Sequence, residues 1–280
     1  MGWTVHVLGS GQDGGLPQFG ARLATDEAAR SGRLPQRTSS SVAVVADDGR
    51  VLLVDVGPDL KAHEQRLLAL TKVKDPIVDG IALTHAHMGH YAGLVHFGRE
   101  AAAADGVPVF CTPSMAEFLS GNAPWSLAIA DGHLALHPST PPARVSVWPD
   151  LEIELIPVPH RHEFSDTVAV SIAGSVLYLP DIDAWEPWEG ADETIARHDV
   201  ALLDATFFSH DELPGRDIAT IPHPLVPDTL ERFEALARDR RLILTHLNHS
   251  NPLVDPQSVE AAMVRTAGFE VAYDGMVIEV

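Results

Sequence analysis

Cysteine is nearly absent from this chain of 280 residues, in which Cys111 is the single one. A disulfide framework within the chain is therefore excluded, and so is a structural zinc site built from cysteines. Low cysteine usage fits a reducing compartment, and we expect the protein to be cytoplasmic. Residues 1–8 lack a basic stretch followed by a long apolar run, so they predict a first strand rather than a signal peptide.

Long apolar runs and positive charge are also scarce. The sequence contains no run of 18 apolar residues, so we predict no membrane span. Lysine and arginine together number 19 against 39 acidic residues, and the formal net charge is −20. A chain this acidic repels a phosphate backbone, which disfavours nucleic acid as a partner. These features instead predict a soluble protein that acts on a small-molecule substrate, with a homodimer as a candidate assembly.

Strand and helix patterns alternate in the same order in both halves of the chain. Each half reads as several strands followed by a helix, which predicts one α/β domain over residues 1–280, built as a four-layer αββα sandwich. Turn residues indicate hairpins, and Leu94–Ala104 has a helical pattern. The predicted hairpins are Ser41–Val45 with Val51–Val56, Val168–Ile172 with Ser175–Leu179, and Phe269–Tyr273 with Met276–Val280.

Histidine is in surplus, with 15 residues, and most of the surplus is clustered. The apolar strand Ile81–Thr84 runs directly into His85 and His87, which are two residues apart and can turn their imidazoles to one side. His90 follows three residues later, where the chain turns into a helix. Imidazole is a common protein ligand of zinc and iron. This segment therefore predicts a metal-binding loop.

Three further strands end in a ligand-type side chain. His160 would complete a three-histidine site with His85 and His87, and three protein ligands with an open position are typical of catalytic zinc. Asp181 could bridge two ions, although an aspartate there also suits a turn or a helix cap. His246 fits a second ion. The same segments contain His162 and His249, which we interpret as outer partners of the ligands.

The motifs together resemble those of the metallo-β-lactamase superfamily. The resemblance rests on Val54-Asp55-Val56-Gly57, the segment His85–His90, His160, Asp181 and His246, and it spans nearly the whole chain. It implies the αββα fold and a Zn²⁺ cofactor of one or two ions, with Mn²⁺ or Fe²⁺ as alternatives. It also implies that Asp55 supports the metal loop without binding the metal itself.

Both ends of the chain are similar to the pyrroloquinoline quinone biosynthesis protein B group. The similar segments are Leu8–Gln18, His246–Leu253 and Tyr273–Met276. Two departures accompany them. The cysteine cluster that often follows Pro-Gln in that group is absent, and Gly89 stands where the superfamily motif has aspartate. The second metal site would then retain His90, Asp181 and His246.

An acid and a histidine farther along suggest a proton-transfer pair. Asp204 ends an apolar strand, and His223 precedes a helix, at places similar to those of a dyad in the phosphodiesterase branch (RNase Z and the cyclic-phosphate phosphodiesterases). Asp204 would orient His223, which would protonate the leaving group. The alternative is that His223 caps the helix. For a substrate anion, the sequence offers the arginines of residues 21–38, Arg37 among them.

These residues predict a metal-dependent hydrolase that acts on a small ester or phosphodiester through a metal-bound hydroxide, which Asp181 could steer. Two alternatives stay open. An iron-dependent oxidative enzyme of cofactor or secondary-metabolite biosynthesis would use the same histidine and carboxylate ligands. A non-catalytic metal binder is favoured by Gly89.

Overall fold

Two seven-stranded β-sheets form the centre of the molecule, in a computed structural model that describes residues 2–74, 77–213 and 215–279. The first sheet contains, from edge to edge, β14 (Val277–Glu279), β1 (Trp3–Gly9), β2 (Ser41–Ala46), β3 (Val51–Val54), β4 (Gly80–Ala82), β5 (Val107–Cys111) and β6 (Leu134–Pro138). The second contains β13 (Glu270–Val271), β12 (Arg241–Thr245), β11 (Val200–Asp204), β10 (Val176–Leu179), β9 (Val168–Ile172), β8 (Leu151–Pro157) and β7 (Ala143–Trp148).

Helices connect the parallel halves of both sheets. Strands β3 to β6 and β10 to β13 pair in parallel, which requires crossover connections on the outer faces. The α-helices are α1 (Ala24–Arg30), α2 (Leu60–Leu70), α3 (Met88–Tyr91), α4 (Pro113–Gly121), α5 (Trp125–Ala130), α6 (Ala191–Ala196), α7 (Val226–Phe233) and α8 (Val259–Thr266). The 3₁₀ helices are Ala92–Phe97, Ile218–Thr220, Leu236–Arg238 and Pro252–Val254. In the part of the chain that the structure describes, no helix is long and apolar enough to span a bilayer.

Three apolar cores separate four layers. The middle core joins the two sheets, with Val44 of β2 and Tyr178 of β10 fully buried in it. One outer core packs helices on the first sheet around Ile81. The other packs helices on the second sheet around Leu203 and Phe233. The predicted αββα sandwich is confirmed, and its inner strands are buried on both faces, as their continuous apolar sequences require.

Two of the predicted hairpins are present. Strands β2 and β3 pair antiparallel, and so do β9 and β10. The second hairpin turns at Ala173 and Gly174, which have φ angles of 49° and 71°. Positive φ at both central positions gives a turn whose twist matches that of the flanking strands.

The third predicted hairpin, at the end of the chain, is wrong. Strand β13 pairs with β12 in the second sheet, whereas β14 pairs with β1 in the first sheet. Asp274, between them, accepts hydrogen bonds from the backbone amides of Ser10 and Thr38. The Asp274-Gly275 turn signal therefore marks a crossing between sheets, because long-range pairing partners outcompete the local one. Val280 lies outside the described residues.

The predicted helix Leu94–Ala104 is also wrong over most of its length. The 3₁₀ helix Ala92–Phe97 is followed by turns. Gly98 is extended, with φ −70° and ψ 178°, and Ala103 has a positive φ of 46°. The apolar spacing suggested a longer helix, but glycine is a poor helix former, and the chain turns here to enter β5.

Candidate metal centre

The candidate site lies where strands of both sheets end. His85, His87 and His90 follow β4, and Asp55 follows β3. From the second sheet, His160 follows β8, Asp181 follows β10 and His246 follows β12. Within each sheet these strands run in the same direction, so their carboxyl ends share one edge. The sandwich brings the two edges together, which collects side chains that are distant in the sequence.

A first group consists of His85, His87, His160 and Asp181, whose ligand-type atoms all lie within 4.8 Å of one another. The Nδ1 atom of His87 is 2.9 Å from Nε2 of His85 and 3.2 Å from Nε2 of His160. The Asp181 carboxylate is 3.2 Å from His85 Nε2 and 3.3 Å from His160 Nε2. Imidazole nitrogens and carboxylate oxygens that converge on one point are ligand types for transition-metal ions in proteins.

A second group consists of Asp13, His90 and His246, again within 4.8 Å. Asp181 stands between the two groups, because its Oδ2 atom is 3.6 Å from Nε2 of both His90 and His246. Both Nε2 atoms are buried and have no hydrogen-bond partner among the described residues. Buried nitrogens without a partner are rare in proteins, and here they fit atoms that face a metal ion.

Hydrogen bonds on the far side of the imidazoles hold the ligands of the first sheet in place. Asp55 accepts from Nδ1 of His90 at 2.7 Å and from the backbone amide and hydroxyl of Thr84. The Thr84 hydroxyl in turn lies 3.0 Å from Nδ1 of His85. Such outer partners fix the ring orientation and leave Nε2 for an ion. Asp55 thus supports the loop through Thr84 and His90.

His246 and His87 are oriented in the same way by other partners. The Thr206 hydroxyl lies 2.8 Å from Nδ1 of His246 and donates to Asp204. Nε2 of His87 lies 3.2 Å from Oε2 of Glu163, which leaves Nδ1 of His87 facing the first group.

Two residues of the site adopt a backbone conformation that side chains rarely tolerate. Asp55 has a φ of 64° and His246 a φ of 61°. A left-handed conformation at a residue other than glycine costs on the order of 1–3 kcal/mol and persists where the surroundings impose it. In His246 this conformation accompanies an Nε2 atom that faces the centre, and in Asp55 it accompanies a carboxylate that holds Thr84 and His90 from behind.

Burial keeps three of the imidazoles neutral. It is the main cause that lowers the pKa of His85, His160 and His246, and the neighbouring histidines lower it further. The neutral ring is the form that binds metal.

Acidic neighbours have the opposite effect elsewhere in the site. Burial lowers the pKa of His90, but the Asp55 carboxylate outweighs burial and raises this pKa to about 9. Burial likewise opposes the effect of Asp204 and Asp181, which raise the pKa of His223 to about 9. The pKa of Asp181 itself is raised, chiefly by burial. Carboxylates concentrated in a buried site favour a cation there.

Asp204 and His223 form a hydrogen-bonded pair beside Asp181. Nδ1 of His223 is 2.7 Å from Oδ2 of Asp204 and 3.4 Å from Oδ1 of Asp181. Helix α7 begins later, at Val226, with Leu225 at its N-cap position. The histidine therefore faces the acidic pair and is not at the N-cap position of the helix.

An open cleft of about 540 Å³ leads to this centre. Tyr91, Phe164 and Phe207 give it apolar walls, and Arg161 and Arg216 also line it. The volume is within the range of small-molecule sites, and two cations in a chain this acidic suit an anionic group.

Three residues lie elsewhere than the sequence suggested. His162 is exposed, whereas His160 two residues earlier is buried. His249 lines the cleft, but its Nδ1 atom is bonded to Asp26, 3.0 Å away, and not to a ligand. Arg37 is buried, and its guanidinium donates to the Ser10 hydroxyl and the Ala272 carbonyl, so it does not face the cleft.

Asp13 is the site residue that the sequence analysis missed. It lies in the glycine-rich loop after β1, a strand whose carboxyl end points to the same edge as that of β3. The available signal was an acid just after a strand, the feature that singled out Asp181. The sequence analysis used this segment only for the similarity of Leu8–Gln18 to the pyrroloquinoline quinone biosynthesis protein B group.

Comparison with known proteins gives one family match and several full-length relatives. Residues 50–247 match the model of the beta-lactamase superfamily domain. A coenzyme PQQ synthesis protein B of Klebsiella pneumoniae subsp. pneumoniae is 30% identical over 98% of this chain and 97% of its own length.

Two solved structures share the fold over almost the full length. Zn²⁺-bound PqqB from Methylobacterium extorquens has a TM-score of 0.86 at 24% identity and covers 99% of this chain and 100% of its own. A diphosphatase from the PhnP family has a TM-score of 0.74 at 23% identity and covers 100% of this chain and 98% of its own.

Proposed function

This chain belongs to the metallo-β-lactamase superfamily and is similar to coenzyme PQQ synthesis protein B, and we propose that it is a metal-dependent hydrolase. The proposed substrate is a small phosphodiester or ester. Zn²⁺ is the proposed ion, with Mn²⁺ and Fe²⁺ as alternatives.

The observation that carries the proposal is the Asp204–His223 pair beside Asp181. A protein whose metal ion is purely structural does not need a buried acid that is bonded to a histidine at the edge of a cleft. The presence of this pair therefore favours catalysis. With Asp204 holding Nδ1 at 2.7 Å, Nε2 of His223 remains for a leaving group. The diphosphatase neighbour shares the fold alone, so the case for a phosphodiester rests on this pair.

The ligand set would hold an ion through His85, His87 and His160, with Asp181 beside it. When bound, the ion supplies an acidified water as nucleophile and neutralises developing negative charge. Asp181 would lie beside that ion, where its carboxylate could accept a hydrogen bond and orient the nucleophile. His223 donates a proton to the departing oxygen, and Asp204 stabilises the charged imidazolium before the transfer.

The cleft supports a substrate with an anionic group and an apolar portion. Arg161 and Arg216 would bind the phosphoryl oxygens outside the centre, while Phe164 would pack against an aryl or alkyl substituent. Phe164 has 59% of its surface exposed, which leaves it free for such a contact.

The direct test is turnover of bis(p-nitrophenyl) phosphate and p-nitrophenyl esters by protein of measured metal content. We expect hydrolysis that is lost in His85→Ala and retained in His137→Ala, whose histidine is exposed. Absence of turnover by metal-loaded protein on both substrate panels would contradict the proposal.

A second candidate is an iron-dependent oxidative enzyme in cofactor or secondary-metabolite biosynthesis. The full-length identity to coenzyme PQQ synthesis protein B favours it. A cluster of imidazoles and carboxylate with room for further ligands also suits Fe²⁺. Metal analysis of protein purified anaerobically without added metal, followed by an oxygen-consumption assay, separates the two. One iron per chain with oxygen uptake supports the oxidase, and aryl phosphodiester turnover without oxygen supports the hydrolase.

A further inference from the structure

The loop after β1 occupies space that a side chain at position 89 would need. A Cβ atom added to Gly89 would lie 2.0 Å from Oδ1 of Asp13 and 2.7 Å from its Cα atom. Such contacts are far shorter than van der Waals distances. The Asp13 side chain therefore occupies the space that the side chain of an aspartate at position 89 would need.

The same carboxylate is turned towards the second group of histidines. Oδ1 of Asp13 is 3.5 Å from Nε2 of His90, and Nε2 of His246 completes the group. Within the described residues, none of these three buried atoms has a hydrogen-bond partner. Three unpartnered ligand atoms that face one another from three different elements indicate an ion between them.

Backbone pairing holds the loop against the site. The amide of Gly11 donates to the Thr38 carbonyl at 2.8 Å, and the amide of Gln12 donates to the Leu247 carbonyl at 2.9 Å. The Gln12 side chain donates to Oδ2 of Asp13, which leaves Oδ1 free for an ion. Leu247 follows His246 directly, so the loop and the histidine are tied to each other.

We propose that Asp13 supplies, from the first loop, the carboxylate ligand that Gly89 lacks, and completes a second metal site with His90, His246 and Asp181. The second site would then have four protein ligands instead of the three expected from the sequence. This inference rests on the proposed metal-dependent function, but it concerns the number of ions and not the reaction.

Zinc stoichiometry and affinity test the proposal directly. Metal-free protein is titrated with Zn²⁺ by calorimetry, and the bound metal is counted after dialysis. We expect two ions in the wild type and one in Asp13→Asn, with the second ion bound more than about 10-fold more weakly. We set this value because replacing a residue that only hydrogen-bonds to a metal ligand already lowers metal affinity by about 10- to 100-fold. Asp105→Asn, which changes an exposed acid in a turn before β5, should retain two ions.

A ligand swap provides the matched rescue. Gly89→Asp alone should disturb the site, because its Cβ meets Asp13. Asp13→Gly with Gly89→Asp removes the contacts with the side chain of residue 13 and leaves only the 2.7 Å approach to its Cα atom, which a small shift of the glycine-rich loop would relieve. The double variant returns a carboxylate from the other side, so the second ion should return. Asp13→Asn keeps the shape of the side chain, and an unchanged melting temperature of its metal-free form excludes unfolding as the cause of the loss.

Equal affinity for the second ion in the wild type and Asp13→Asn would overturn the role of Asp13. A wild type that binds one ion and hydrolyses substrate would overturn this inference alone. A wild type that binds no ion at all would overturn the proposed function as well.

Discussion

Nδ1 of His223 lies 2.7 Å from Oδ2 of Asp204, and each side chain has 2% or less of its surface exposed. Asp204 also accepts hydrogen bonds from the amides of Ile182 and Thr206, so its carboxylate is fixed while it holds the imidazole. A buried, oriented histidine at the edge of a substrate cleft is suited to general acid catalysis.

Replacement of His223 should therefore slow the reaction in a way that depends on the leaving group. We expect His223→Ala to lower kcat by about 10²–10⁴-fold for a substrate with an alkoxide leaving group. The loss should be smaller for p-nitrophenolate, which departs without protonation. A series of phosphodiesters of graded leaving-group pKa measures this, with metal content determined for each variant.

His162→Ala is the control, since His162 is exposed and lies two residues after His160. Its kcat should match that of the wild type. Equal losses across the leaving-group series in His223→Ala would argue against proton donation by His223.

Removal of metal should cost both activity and stability. In the folded protein, Nε2 of His90 and Nε2 of His246 are buried without a hydrogen-bond partner from the residues that the structure describes, and a bound ion would supply one. Because the ion binds only the folded state, it stabilises the protein. At an ion concentration of 100 times Kd, the free energy of unfolding should rise by about 2.7 kcal/mol. Chelated protein should melt at a lower temperature, and Zn²⁺ or Mn²⁺ should restore the melting temperature and the turnover together. Unchanged melting after complete chelation, verified by metal analysis, would speak against a metal that contributes to the fold.

His63, which belongs to none of the groups of ligand-type side chains among the described residues, should make the free energy of unfolding depend on pH. It is fully buried, and burial lowers its pKa from 6.5 to about 4. In the unfolded chain the ring takes up a proton near pH 6.5, whereas the folded protein resists it until about pH 4. Stability should therefore fall as the pH drops through this range. At about 1.4 kcal/mol per pKa unit, the loss approaches about 3 kcal/mol.

Denaturant unfolding at pH 7 and pH 4.5 of the wild type and His63→Gln measures this contribution. The variant should start less stable, because its side chain packs and bonds differently against Thr38. Its stability should then change less with pH. Parallel curves for the two proteins would show that His63 does not titrate as expected.

We expect residues 1–280 to unfold as one domain. Strands β13 and β14 are close in the chain but pair in different sheets, so neither sheet can unfold without releasing the other. Calorimetry of the metal-free protein should give a calorimetric enthalpy equal to the van't Hoff enthalpy. Two resolved transitions would instead indicate two independently folding halves.

Much of the architecture could be predicted because its signals are local. Buried strands of continuous apolar residues, such as Val200–Asp204, and turn pairs such as Ala173-Gly174 depend on neighbours in sequence. The final hairpin failed for the opposite reason. Both of its strands satisfy the local pattern, but each pairs with a different strand, one in each sheet.

The sequence by itself determined which side chains could bind a metal, because a histidine or an aspartate directly after an apolar strand lies at a sheet edge in any α/β arrangement. From such positions, together with the resemblance to the metallo-β-lactamase superfamily, it predicted His85, His87, His90, His160, Asp181 and His246 as ligands. Only the tertiary structure decided that Asp13 lies beside His90 and His246, that Arg37 is buried away from the cleft, and that His162 is exposed. Those outcomes depend on how one loop packs against another across the two sheets, and no pattern within a single segment carries that information.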